Sequence, residues 1–142
     1  MKIYTDTSFL ISLYSLDANS AIAVETMRAS TGDRYVTVLG ELEMVNALEL
    51  RVFRKELSTS QVQSSLKDFE KDMRDETLLL RPLPDEVFAR AGQLSRQTTA
   101  RLGTRTADLL HVAAALELGA DYLYSFDHQQ RKLAQAVGLK VN

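Results

Sequence analysis

Ile3-Tyr4-Thr5-Asp6-Thr7-Ser8 packs a strand, a carboxylate and the approach to a helix into six residues. The run Ile3-Tyr4-Thr5 is rich in residues that suit a pleated, half-buried surface and reads as a strand. The apolar segment from about Ser8 to Tyr14 reads as a short helix, and Asp6 stands at the junction. The far end of the chain repeats this grammar. Tyr122 to Phe126 reads as a strand, Asp127 closes it, and His128 to Val137 reads as a helix. A strand that runs directly into a helix, twice, is the signature of an α/β fold with a largely parallel sheet.

The residues between these ends keep the alternation. Asp17-Ala18-Asn19-Ser20 starts a helix reaching about Ser30, Tyr35-Val36-Thr37 is a strand, and Leu39 to Phe53 is a helix with Leu42, Val45 and Leu48 or Glu49 at helical spacing. Ser58-Thr59-Ser60 signals another helix start. Val62, Leu66, Phe69 and Met73 then mark one apolar helical face. Leu78-Leu79-Leu80 reads as a buried strand ended by Pro82 and Pro84, and a helix begins at Pro84-Asp85-Glu86. A loop from Thr98 to Gly103 precedes an alanine-rich helix from Thr106 to Leu118, terminated by Gly119. Leu139-Lys140-Val141 is a last short strand. No repeat or linker interrupts the pattern, so residues 1–142 are expected to form one domain.

Composition narrows the class. At 142 residues, with 45% hydrophobic and 25% charged residues, the chain suits one ordinary globular core. Its apolar runs fall well short of the roughly 18–20 residues a membrane helix needs. The absence of cysteine removes disulfides, thiolate zinc sites and cysteine nucleophiles. A cytoplasmic location is the resulting expectation. The net charge of −2 is neutral on a nucleic-acid partner, since acids gathered in one pocket would mask a mildly basic remainder.

Four acids stand where a folding argument prefers something apolar: Asp6, Glu43, Asp108 and Asp127. Burying a carboxylate without a partner is costly. In an open parallel sheet, ligands bind beyond the carboxyl ends of the strands, and Asp6 and Asp127 both fall there. Asp108 lies in the first turn of its helix and Glu43 about one turn into its own. Taken singly, Asp6 and Asp127 also read as helix caps and Asp108 as a complement to the helix dipole. Glu41 competes with Glu43 for the same role. Together, four carboxylates suit a hard cation such as magnesium or manganese, which prefers oxygen ligands. Without one, their like charges would raise some of their pKa values.

The chain resembles the PIN-domain ribonucleases, and in particular the VapC-like toxins of toxin–antitoxin pairs. The resemblance rests on Ile3 to Ser8, on Glu43-Met44-Val45-Asn46-Ala47-Leu48, on Arg101 to Leu116 and on Ser125-Phe126-Asp127, in that order along nearly the whole chain. It implies a three-layer α/β/α sandwich whose acids bind Mg2+, or Mn2+ instead, and hydrolyse RNA through an activated water. Carried over, Asp6 and Asp108 are the foremost metal ligands and Glu43 and Asp127 complete the pocket. Thr7 and Ser125 would orient an acid or the attacking water. Asn46, one turn after Glu43, would bond to that carboxylate or serve as a buried amide. The resemblance also implies an RNA substrate, a cognate antitoxin and a homodimer.

The remaining polar residues divide by position. Arg101 and Arg105 approach the acidic edge and are the candidates for RNA contact, because a guanidinium suits phosphate. Arg54 and Lys55 read as a solvated face. His111, three residues after Asp108, reads as a packing or hydrogen-bonding residue ahead of a catalytic base, and His128 as exposed. The face marked by Val62, Leu66, Phe69 and Met73 is packing surface, or a seat for a second copy or an antitoxin helix. Two other readings compete. One is an aspartate-based phosphotransfer domain, against which stand the lack of a second acid beside Asp6 and of any glycine-rich phosphate loop. The other is a catalytically silent module that keeps the PIN fold and binds RNA or protein.

Overall fold

The computed structural model describes all residues, Met1–Asn142. Its elements run β1 (Lys2–Thr5), α1 (Thr7–Tyr14), α2 (Ser20–Ala29), β2 (Asp33–Thr37), α3 (Val38–Phe53) and α4 (Thr59–Arg74). They continue with β3 (Leu79–Arg81), α5 (Val87–Leu102), α6 (Thr106–Glu117), β4 (Tyr122–Tyr124), α7 (His128–Ala136) and β5 (Lys140–Val141). The five strands form one sheet in the order β3-β2-β1-β4-β5, and every pairing is parallel. The chain winds outward from β1 in one direction through β2 and β3, and in the other through β4 and β5. The strand order therefore reverses between β1 and β4, which is where such sheets open a crevice at their carboxyl edge.

β1 is the centre of the sheet, and Ile3, Tyr4 and Thr5 are fully buried. Successive side chains on a strand point to opposite faces. Ile3 accordingly packs with Phe9, Ala23 and Tyr124 on one side, while Tyr4 packs with α5, α6 and α7 on the other. The first face is extended by Leu10, Val36, Met44, Leu48, Val62, Phe69 and Leu78, which join α1, β2, α3 and α4. The opposite face is built on Leu94, Leu109, Val112, Leu123 and Leu133, with the fully buried Ala113, Ala114 and Ala115 letting α6 pack closely. The result is the three-layer α/β/α sandwich.

Local signals account for most boundaries. Ser58 caps α4 reciprocally: its Oγ accepts from Gln61 N at 3.1 Å, and Gln61 Oε1 accepts from Ser58 N at 2.8 Å. α6 ends just before Gly119, as its sequence predicts. Several expectations are corrected. Leu78-Leu79-Leu80 is not a buried strand; β3 spans Leu79–Arg81 at the edge of the sheet, with Leu80 exposed. The segment from Thr98 is not a loop, because α5 runs on to Leu102. Thr98 fits this helix by donating its buried hydroxyl to Leu94 O at 2.6 Å. Gly103, at φ 66°, then ends the helix in the left-handed conformation. α5 begins at Val87 rather than Pro84, and β4 stops at Tyr124, leaving Ser125 and Phe126 in the connection to α7. On α3 the core face is Gly40, Met44 and Leu48, with Leu42 exposed to water. No helix is long and apolar enough to cross a membrane.

Candidate active site

Asp6 follows the last residue of β1 and caps α1. Its Oδ1 accepts from Phe9 N at 2.9 Å and from Ser8 Oγ at 2.7 Å. Asp127 does the same for α7, with Oδ1 accepting from Gln130 N at 2.9 Å. Asp108, in the first turn of α6, accepts from Arg105 N at 3.0 Å through Oδ2. Glu43 sits in the second turn of α3, where backbone N–H groups are already used by the helix. Its Oε1 instead accepts from Thr7 Oγ1 at 2.9 Å and bonds to His111 Nε2. Capping and site-forming are thus not exclusive: a carboxylate has two oxygens, and a cap uses one.

All four acids line one cavity of about 330 Å³, together with Thr7, Ser8, Arg105, His111 and Gln130. It lies over the switch point between β1 and β4. A larger hollow of about 400 Å³ lies between α2 and the Tyr122–Tyr124 face of β4, away from Asp6, Glu43, Asp108 and Asp127, and has Glu25 as its single carboxylate. Charge and topology therefore single out the first cavity.

The electrostatics follow from burial. Asp6 is 3% exposed, and burial pushes its carboxyl above the ordinary range against the nearby Ser125 hydroxyl and the hydrogen bonds from Phe9 and Ser8. Burial acts the same way on Glu43, but the bond and charge of His111, the bond from Thr7 and the charge of Arg105 outweigh it and hold Glu43 below its usual value. Burial also raises the Tyr4 hydroxyl far beyond its ordinary value, so it keeps its proton. Arg105 reaches over the mouth, its guanidinium 3.5 Å from both Asp108 and Asp127.

The other sequence candidates fall in different places. Ser125 is fully buried beneath the site; its Oγ accepts from Asp127 N at 3.0 Å and lies 3.2 Å from Ser8 Oγ. Asn46 is exposed and is neither a partner of Glu43 nor a buried amide, because His111 and Thr7 occupy that carboxylate from across the cavity. Glu41 lines a separate groove with Leu42, Val45, Leu66 and Phe69. Arg101 is exposed in the last turn of α5 and does not line the cavity. Three contributors went unread in the sequence: Ser8, Tyr4 and Gln130. Gln130 is 1% exposed and its Nε2 has no hydrogen-bond partner. Only its place in the first turn of the helix after Asp127 hints at this.

The model of the PIN domain family matches residues 3–136. The chain belongs to the PIN domain family. No curated protein matches the sequence. Among solved structures, the PIN fold of this chain is similar to VapC20 of Mycobacterium tuberculosis, a Sarcin-Ricin loop cleaving toxin, with TM-score 0.71 and 16% identity over 96% of this chain and 95% of that one. It is also similar to VapBC2 of Rickettsia felis bound to a promoter DNA fragment, with TM-score 0.70 and 17% identity over 100% and 98% of the two chains. VapBC-1 of nontypeable Haemophilus influenzae gives TM-score 0.67 and 15% identity over 100% and 97%. At these identities the likeness establishes the fold.

The donor set suits a hard divalent cation in kind. The cavity offers carboxylate and hydroxyl oxygens, burial disfavours the charged form of Asp6, and Glu43 Oε2 and Asp108 Oδ1 make no hydrogen bond within the protein. In their present rotamers, however, no three acidic or histidine side chains stand close enough to share one ion.

Proposed function

We propose that this PIN domain is a metal-dependent endoribonuclease that hydrolyses RNA phosphodiester bonds, and that it is the toxin of a toxin–antitoxin pair. The observation that carries the reading is the convergence of Asp6, Glu43, Asp108 and Asp127, from four separate segments, on one cavity at the sheet's switch point. In this reading Asp6 and Asp108 are the principal ligands of Mg2+, with Mn2+ as the alternative, and Glu43 and Asp127 complete the set. A bound ion lowers the pKa of an attacking water and neutralises charge on the phosphoryl oxygens. The protein's part is to hold and orient. Thr7 steadies Glu43, and Ser125 fixes the backbone that presents Asp127. Arg105 at the rim receives a phosphate, and Arg101 contacts RNA farther along α5.

The same proposal includes the partners. α3 exposes Val38, Leu42, Leu50 and Phe53, the last 83% accessible, and the groove of Leu42, Val45, Leu66, Phe69 and Met73 adjoins them. This apolar surface is the seat expected for an antitoxin helix or a second copy of the chain. The test of the activity is cleavage of a labelled RNA pool in Mg2+, Mn2+ or EDTA by wild type, Asp6→Asn and Asp108→Asn. Metal-dependent cleavage absent from both variants supports the reading. Cleavage that survives in the variants sinks it, and phosphate transfer to Asp6 would replace it with a phosphotransfer function. Co-expression with the product of the neighbouring reading frame tests the antitoxin: a stable complex is expected, and two independently purifying proteins would refute it.

A further inference from the structure

Three of the four acids are oriented by the backbone: Asp6 by Phe9 N, Asp108 by Arg105 N and Asp127 by Gln130 N. Glu43 has no such donor and one more rotatable bond, so its orientation has to come from side chains. His111 supplies it. The ring is 4% exposed, with Nδ1 2.7 Å from the Tyr4 hydroxyl and Nε2 against Glu43 Oε1. Tyr4 OH is in turn 3.1 Å from Thr37 Oγ1, which accepts from Gly40 N at 3.4 Å.

With a neutral ring and an ionised Glu43, one direction of donation satisfies this whole chain. A carboxylate oxygen only accepts, so Nε2–H donates to Glu43. In a neutral ring Nδ1 must then accept, and it takes the Tyr4 proton. Tyr4 oxygen accepts from Thr37, whose oxygen accepts from Gly40 N–H. The tautomer of a buried imidazole is thus set from the sheet core, where β1 and the start of α3 meet.

We propose that His111 is a positioning residue that, beside Thr7, ties down Glu43 by Oε1 alone, leaving Oε2 as the one oxygen Glu43 offers to a divalent cation. The proposal rests on the metal-dependent reading above. Hydrogen-bonded carboxylates of this kind are known to govern metal affinity through their outer partners. Tyr4 belongs to the same device, since without its hydroxyl the ring is free to adopt the other tautomer, which has no proton for Glu43.

The experiment compares wild type, His111→Leu, His111→Gln and Tyr4→Phe in the full chain. Mn2+ binding is measured by calorimetry without RNA, and RNA cleavage is resolved into kcat and KM. His111→Leu is expected to weaken Mn2+ binding by about 10–100-fold and to lower kcat with KM for RNA little changed. His111→Gln keeps an N–H donor and is expected to recover most of the loss; Tyr4→Phe is expected to fall between. If His111→Leu is unfolded, the Gln and Phe variants carry the test. In ring-15N NMR of wild type, the Nε2–H tautomer is expected. Wild-type Mn2+ affinity in the Leu or Phe variant, equal losses in Leu and Gln, or an Nδ1–H tautomer would overturn the proposal while leaving the ribonuclease reading intact. A wild type that neither binds Mn2+ nor cuts RNA overturns both.

Discussion

Asp6 is asked to do two jobs, and two substitutions separate them. As the cap of α1 it accepts from Phe9 N and Ser8 Oγ through a single oxygen. As a buried acid whose pKa burial has raised, it carries a charge the fold disfavours when no cation is bound. Asn caps a helix about as well as Asp, whereas Ala loses about 0.5–2 kcal/mol. Asp6→Ala belongs at the upper end, because it strands two donors in a site only 3% exposed. Asp6→Asn keeps the cap and discards the charge, so in EDTA at neutral pH it should be at least as stable as wild type. The sign of the pH dependence follows. A raised folded-state pKa means that Asp6's relative contribution is fully present below the unfolded pKa and is lost as pH rises through the folded value. The advantage of Asp6→Asn should therefore vanish under acid conditions. Urea titrations at acid and neutral pH would measure this, with each kcal/mol worth roughly 2–4 °C in a parallel thermal melt. Adding Mg2+ at a hundredfold excess over its Kd should stabilise wild type by about 2.7 kcal/mol and neither variant. The reasoning is refuted if Asp6→Asn falls as far as Asp6→Ala, or if it gains as much from Mg2+ as wild type.

Other parts of the structure give sharper, smaller tests. Arg105→Gln should weaken RNA binding evenly across sequences and reduce the slope of log affinity against log salt by about 1, read by fluorescence anisotropy; an unchanged slope removes Arg105 from the RNA contact. Phe69→Ala, 1% exposed and edge-on to Tyr14 at 5.3 Å, should cost about 3–5 kcal/mol in denaturant titration. A cost near zero would mean that α4 is not anchored on the core. Gly103→Ala meets no atom within 4 Å, so its cost, about 1–2 kcal/mol, comes from the left-handed backbone alone. A neutral result in a thermal melt would contradict the conformation at the end of α5.

The strand-to-helix junction at Asp6 and the helix cap at Asp127 are legible because backbone geometry there is local: a helix cap is written in adjacent residues. The same holds for Ser58 and Gly119. The stretch from Thr98 is helical for a reason that residue type does not show: the Thr98 hydroxyl bonds back to Leu94 O inside α5. Leu78 to Leu80 misled because an apolar triplet looks alike in a central and an edge strand, and only the sheet order distinguishes them. Asn46 was placed by helical periodicity within α3, yet what Glu43 touches is decided by α1 and α6. His111 and Tyr4 lie 107 residues apart, and no local pattern predicts that their polar atoms meet.

β1 pairs with β4 almost the whole chain later, Ile3 beside Tyr122 and Thr5 beside Tyr124, and Asp6 N bonds to Tyr124 O at 3.1 Å. On a translating ribosome Asp6 and Glu43 emerge before β4, so β1 remains an unzipped edge and the cavity lacks its far wall until β4 and Asp127 have been made. Competence therefore arrives as one late event. The order of residues along the chain acts as a clock, separating the birth of this polypeptide from whatever its four acids can do.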